Sequence, residues 1–435
     1  MNTESPAFWM PFTANRLFRD APRMLSSASG MYYRSADGRE ILDGTAGLWC
    51  VNAGHARAPI REAVARQLET LDFAPSFSMG HPLAFELAER LARHAPSGLN
   101  RVFLTNSGSE AVDSALKIAL AYHRLRGEPQ RTLLVGRERA YHGVGFGGMS
   151  VGGIPKNREA WQSVLLPAAH LRHTHDLTRN AFALGQPAHG VELAEDLERI
   201  VREQGAERIA AVIVEPIAGS TGVLIPPRGY LERLRELCTR YGLLLIFDEV
   251  ITGFGRSGAW FASHQFGVRP DLMTLAKGLT NGCIPMGAVL VDRAIHEQFL
   301  SGPRAEIDLY HGYTYSAHPV ACAAAIATLA IHEQENLAGR AAQLAPQWQR
   351  CAHALRGLPG LIDIRNYGLI AAVEFAAQPQ RAPTRAYDIF CKCFERGLLA
   401  RATGNVLAFS PPLTIEPAQI ESLFTILAES IRATP

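Results

Sequence analysis

YGLLLIFDEVITGFGRSG, residues 241–258, sets five apolar residues, Leu243 to Phe247, directly before two carboxylates, Asp248 and Glu249. A short, unbroken apolar run bounded by turn residues reads as a strand buried on both faces. An acid at the carboxyl end of such a strand must be paired, hydrogen-bonded or neutralised, because burying it alone is costly. Two readings of Asp248 stay open at this point. It caps a nearby loop as a structural group, or it holds a cationic group in a cleft.

Outward from this strand, RVFLTNSG, TLLVGRE, IAAVIVEP, DLMTLAKG and MGAVLV alternate with helical patterns. Such alternation predicts an α/β fold with a mostly parallel sheet covered on both faces. From about His318 the texture changes to a long Ala-rich helix, then to GLIDIRNYGLIAAVEF, GLLARATGN and VLAFSPP between helices. This predicts a smaller α+β unit, to which the amino-terminal strands within GREILDGTAGLWCV (38–51) also contribute. The expected division is residues 1–65 in the small unit, 66–325 in the large one and 326–435 back in the small one.

The bulk numbers narrow the class of partner. A chain of 435 residues with 47% hydrophobic and 19% charged residues has the composition of a globular protein. Lys plus Arg total 43 against 41 Asp plus Glu, without a basic stripe, so a small molecule is a better partner than nucleic acid. Seven scattered cysteines argue for reduced thiols and not for a disulfide scaffold. The amino terminus lacks the apolar core of a signal peptide, and Val320 to Ile331, the longest apolar run, is too short to span a bilayer. A cytoplasmic location is expected.

Open parallel sheets bind ligands at the carboxyl ends of their strands. In TNSGSEAVDSALKIALAYHRL (105–125) a strand ends near Thr105 and an amphipathic helix begins near Glu110. Ser107, Gly108 and Ser109 therefore sit at a helix amino terminus, which suits a phosphate. A plain Ser-rich cap fits equally well. Lys277, in LMTLAKGLTNG (272–282), lies one strand–helix–strand step after Asp248, so both point into one crevice. Desolvation favours the free amine that a Schiff-base nucleophile needs, whereas a salt bridge to Asp248 is the structural alternative. Tyr141 and His142 follow the strand at 132–138, where a ring can stack on a planar ligand or merely pack. A phosphorylated, planar, carbonyl-bearing cofactor with a basic ring nitrogen uses all of these features.

Together, IFDEVITGFGRSG (246–258), AKGLTNG (276–282), TNSGSEA (105–111), YHG (141–143), VEP (214–216) and HGYTYSAHPVACAAA (311–325) resemble the class III pyridoxal-phosphate aminotransferases. FWMPFTANR (8–16), GLWCVNAGH (47–55) and HGYTYSAHP are similar to the omega-amino acid:pyruvate branch, in which β-alanine is a donor. The resemblance implies fold type I and pyridoxal 5'-phosphate as cofactor. It also implies transfer of an amino group from an omega-amino acid or primary amine to pyruvate. Lys277 would form the Schiff base and then move a proton, while Asp248 would pair with the ring nitrogen. Val250 and Tyr141 would cover the two ring faces, Gly108 and Ser109 would hold the phosphate beside Ser107, and Glu215 would stand near Asp248 or the phenolic oxygen. The resemblance assigns His142 no role beyond its place in the cofactor site. Thr314 would reach the phosphate of a partner subunit, implying a homodimer with sites at the interface. Arg401 would bind the substrate carboxylate, and Trp49 and Phe77 would line the pocket. Ala402 to Asn405 depart from the family pattern after the arginine, so the donor range is open.

Alternatives remain. The same scaffold carries glutamate-dependent aminotransferases, decarboxylating transaminases and aminomutases, and a non-catalytic cofactor-binding relative is a further reading. HLRHTHD (170–176) offers three histidines, but without a fourth ligand at suitable spacing it reads as a solvated loop, and no metal site is expected. GVGFGGMSVGG (143–153) does not open a helix in the manner of a dinucleotide fingerprint and is expected to be an active-site loop.

Overall fold

The computed structural model describes residues 7–378 and 384–434. Its centre is a seven-stranded sheet in the order Leu99–Thr105, Gly287–Asp292, Leu272–Leu275, Leu244–Asp248, Ile209–Val214, Leu133–Arg137 and Ala168–Leu171. Gly287–Asp292 runs antiparallel to both neighbours, and the other pairings are parallel. The opening stretch forms the middle strand, and its residues are buried throughout.

Alternation along that strand explains the layers. Leu244 and Ile246 pack with Ala111 and Ala115 of the helix Gly108–Leu125 on one face. Leu245 and Phe247 pack with Leu234 and Leu237 of the helix Tyr230–Tyr241 on the other. Successive side chains point to opposite faces of a strand, so an unbroken apolar run is what a doubly covered sheet requires.

Two smaller sheets flank this body. Leu25–Ser29, Tyr32–Ser35, Glu40–Asp43 and Leu398–Leu399 form one, in which Leu398 and Leu399 pair in parallel with Leu42 and Asp43. Leu361–Tyr367, Ile370–Phe375, Val406–Phe409 and Arg401–Thr403 form the other. The two chain ends therefore share a sheet, as the sequence suggested. The Ala-rich segment is the helix Pro319–Gln334, capped by the His318 side chain. Among the described residues no helix is long and apolar enough to cross a membrane.

One expectation fails locally. The Gly-rich stretch is not all loop, because Phe146–Val151 is a short helix. Its glycines serve close packing: a Cβ on Gly148 would collide with the His142 carbonyl oxygen, and one on Gly136 with that of Val151. The helix thus lies directly on the Leu133–Arg137 strand that delivers Tyr141 and His142. Gly136→Ala is expected to lower the free energy of unfolding by about 1–3 kcal/mol, read as a lower denaturant midpoint at unchanged slope.

Candidate active site

The parallel strands end around one cavity of about 330 Å³. Ser107, Gly108, Ser109, Tyr141, His142, Glu215, Asp248, Val250 and Lys277 all line it. Every sequence-predicted cofactor residue except Thr314 is therefore in one place.

At one end of the cavity the helix begins at Gly108, two residues earlier than expected, with Ser107 as its cap. The Ser107 hydroxyl oxygen accepts the Glu110 N–H at 3.1 Å, and the Glu110 carboxylate accepts the Asn106 N–H at 2.7 Å. The cap reading of Ser107 holds, and it leaves the first-turn N–H groups of Gly108 and Ser109 without intrahelical acceptors. A Cβ on Gly108 would stand 3.0 Å from Val250, so glycine lets the helix end approach the cavity floor. Ser109 Oγ accepts the Val144 N–H at 3.1 Å and retains its own proton to donate.

Asp248 is buried, and its partners resolve the question its position raises. Oδ1 accepts the Val250 N–H and the Thr274 hydroxyl, both at 3.1 Å. His142 Nδ1 donates to Oδ2 at 2.8 Å. The salt-bridge alternative is not what forms: among the described residues Asp248 pairs with His142, and no ion pair joins it to Lys277. His142 Nε2 is buried and has no partner among the described residues.

Lys277 leaves the Leu272–Leu275 strand in a left-handed conformation, φ 45°, which a side-chain-bearing residue adopts only under constraint. The constraint comes from residues 52–54. A Cβ on Gly278 would crowd the Asn52 side-chain nitrogen at 2.7 Å. Asn281, itself at φ 53°, accepts the Ala53 N–H and donates to the Gly54 carbonyl, each at 2.8 Å. Asn52 is held in turn by the buried Arg256, whose Nη2 donates to its Oδ1 at 2.6 Å while Nη1 reaches the Pro411 carbonyl. Burial lowers the Lys277 pKa, against the upward pull of Cys50, Asp248 and Glu215.

Glu215 is buried beside this group, with its oxygens accepting the Tyr141 N–H at 2.9 Å and the Gly219 N–H at 3.2 Å. Burial pushes its pKa up to about 7, with His142 opposing and Asp248 adding to the rise. Tyr141 is also raised, chiefly by burial. Cys50 and Thr280, which sequence reasoning did not select, line the cavity too. Their signal was adjacency: Cys50 lies inside the quoted GLWCVNAGH, and Thr280 three residues beyond Lys277.

The substrate residues are distributed differently. Trp49 is 3% exposed and packs in the core without lining the cavity. Phe77 is 62% exposed and lines a separate hollow with Phe85, His311 and Gly312, beside the exposed Thr314. Trp49 and Phe77, expected to line the substrate pocket, are thus not among the residues around this cavity. Arg401 is half-buried on the short strand Arg401–Thr403 and does not line the cavity; its Nε has no partner among the described residues, and burial lowers its pKa.

Of the three histidines, His170 lies in a strand and not in a loop, with Nε2 3.0 Å from the Gly152 carbonyl. His175 Nε2 stands 3.1 Å from Glu374, close to Asp363. Arg365 Nη1 bridges Asp363 and Glu374 at 2.5 Å each, so a guanidinium already supplies the positive charge there.

A helix amino terminus, a hydrogen-bonded acid, a desolvated lysine and a ring meet at one cavity, a set of groups suited to a phosphorylated, planar, carbonyl-bearing cofactor. Residues 15–431 match the family described as aminotransferase class III, and the chain belongs to that family of pyridoxal-phosphate enzymes. It is 58% identical to an omega-aminotransferase of Caulobacter vibrioides over 417 residues, covering 96% of this chain and 95% of that one. It is 46% identical to a beta-alanine–pyruvate aminotransferase of Pseudomonas aeruginosa over 98% of this chain and 95% of the relative. Among solved structures, the omega transaminase from Pseudomonas jessenii in complex with PMP superposes with a TM-score of 0.93 at 33% identity, covering 99% of this chain and 96% of that one. The cavity fits such a cofactor on its own evidence: unspent N–H groups at one end, one open acceptor direction on Asp248, and an amine at the rim.

The Glu215 pKa carries a stability signature. A carboxyl raised from 4.5 to about 7 on folding favours the folded state below the unfolded value and withdraws that support as pH rises through about 7. Thermal midpoints of cofactor-free Glu215→Gln and parent protein, compared from pH about 4.5 to 7, should show the variant losing less stability across that window.

Proposed function

We propose that this enzyme transfers the amino group of an omega-amino acid such as β-alanine, or of a primary amine, to pyruvate, giving L-alanine and an aldehyde or ketone. The observation that carries the reading is the convergence of Lys277, Asp248 and the Gly108 helix end on one cavity. The names of the relatives support the choice of donor and acceptor. When bound, pyridoxal phosphate supplies an electron-withdrawing ring that stabilises negative charge on the donor's amino-bearing carbon.

The chain's own groups divide the remaining work. Gly108 and Ser109 hold the phosphate through backbone N–H groups and the serine hydroxyl. Asp248 would accept a hydrogen bond from the ring nitrogen and so keep it protonated, and Val250 and Tyr141 would cover the two ring faces. Lys277 would be the nucleophile that attaches the cofactor, and its freed amine would carry the proton from the donor's amino-bearing carbon to the cofactor. A pKa lowered by burial raises the share of free amine near neutral pH. Glu215 fixes the Tyr141 backbone and so the ring-covering loop. Arg401 binds the carboxylate of pyruvate or of the amino-acid donor, since a guanidinium fork matches that group.

The reading includes a homodimer. Phe77 and Phe85 line one hollow with His311 and Gly312, and they and Tyr315, next to Thr314 in the chain, are exposed apolar side chains of the kind that a second copy covers. Thr314 and Phe77 then serve the partner's site, which accounts for their distance from their own chain's cavity. A cytoplasmic location belongs to the same reading, supported by seven cysteines that are all free thiols. The small unit is assigned to residues 1–65 and 326–435, supported by the sheet that the two ends share.

A donor screen with pyruvate tests the proposal. β-Alanine or a simple arylalkyl amine should be consumed in preference to glutamate with 2-oxoglutarate, and the opposite preference would defeat it. Lys277→Ala should abolish turnover while cofactor uptake, followed by the visible band, remains weakly detectable. Arg401→Ala should raise KM for carboxylate-bearing donors by about 10- to 100-fold, the loss of a charge-assisted hydrogen bond, and leave plain amines within about twofold.

A further inference from the structure

Thr274 lies three residues before Lys277, inside the strand that delivers it, and is fully buried. Its backbone is fixed by the sheet, where it is the register partner of Asp248 and its carbonyl accepts the Glu249 N–H at 3.0 Å. Its hydroxyl donates to Asp248 Oδ1 at 3.1 Å. A carboxylate offers about four acceptor directions. Val250 N–H and Thr274 fill those of Oδ1, and His142 fills one on Oδ2. One direction, on Oδ2, stays open in a residue that lines the cavity.

Resting on the pyridoxal-phosphate reading above, we propose that Thr274 is a positioning residue, locking the rotation of the Asp248 carboxylate so that its single free acceptor direction meets the cofactor's ring nitrogen. The argument is geometric. Val250 N–H and His142 grip one oxygen each, and a carboxylate held by two single bonds can tilt about the line joining them. The Thr274 hydroxyl, reaching in from the neighbouring strand, is the third point that removes this freedom. Asp248 and Thr274 belong to adjacent strands in fixed register, so the lock is as rigid as the sheet. The same strand sets Lys277, and the grip on the ring nitrogen and the placement of the amine therefore share one element.

The test compares Thr274→Val, which deletes the donor in a similar shape, with Thr274→Ser, which keeps it. Two readouts apart from turnover decide: the dissociation constant of pyridoxal phosphate for cofactor-free protein, and the NMR shift of an isotopically labelled ring nitrogen in the loaded protein. Thr274→Val should weaken cofactor binding about tenfold, the scale of one buried hydrogen bond, and move the ring-nitrogen signal toward the free pyridine. Its kcat should fall with donor KM kept within about twofold. Thr274→Ser should restore all three. A role in stability alone would lower the thermal midpoint and leave the ring-nitrogen signal in place, which would overturn the proposal. Equal losses in the Ser and Val variants would also overturn it, by assigning the effect to the methyl group. Should Thr274→Val not fold, Thr274→Cys, with its weak donor, is expected to show the same displacement of the signal. Parent protein that takes up no pyridoxal phosphate would sink the underlying reading, and with it this one.

Discussion

A carboxylate stands at the end of a buried strand, and much of the site follows from the need to satisfy it. Asp248 lies where water is largely excluded, so each of its oxygens needs donors from the protein. They come from three directions: the turn after its own strand, the loop that carries His142, and the neighbouring strand. Bringing those segments together also brings Tyr141, Val250 and Lys277 to the same rim. The cavity is in this sense a by-product of hydrogen-bonding one acid.

Around that acid the charges are arranged in opposition. Burial is the main force driving the Lys277 pKa down and the Glu215 pKa up, with Glu215 opposing the shift of Lys277 and His142 opposing that of Glu215. The result is an amine shifted toward its free form and a carboxyl pushed up to about 7, a condition suited to moving protons. The strained backbone at Lys277 is a second investment in the same spot. It persists because Asn52, Asn281 and Arg256 over-determine it with buried hydrogen bonds.

Much of this was legible in the residues. Unbroken apolar runs identified the sheet because doubly covered strands have no polar face, and strand-exit positions then selected Asp248, Lys277 and the Ser107–Ser109 helix end. What local patterns could not show were contacts made across long separations. His142 meets Asp248 over 106 residues and Thr274 meets it over 26, and neither side chain announces its partner. Glycine content misled at 146–151, where small residues permit close packing and a loop was expected. Trp49, Phe77 and Thr314 were selected by resemblance, and a single chain does not bring them to its own cavity.

The clamp on Lys277 has a bearing on how the enzyme matures. Asn281 bonds to Ala53 across 228 residues, and Arg256 ties Asn52 to Pro411 across a further 155. Such contacts close long loops, whose closure entropy must be met before the contacts offset it. A ribosome-bound fragment that ends before the last strands lacks the lower jaw of this clamp. Its Arg256 still meets Asn52 but lacks the Pro411 carbonyl that anchors it from the other side. The turn at Lys277 is thus tied, through Asn52, Asn281 and Arg256, to segments near both ends of the polypeptide.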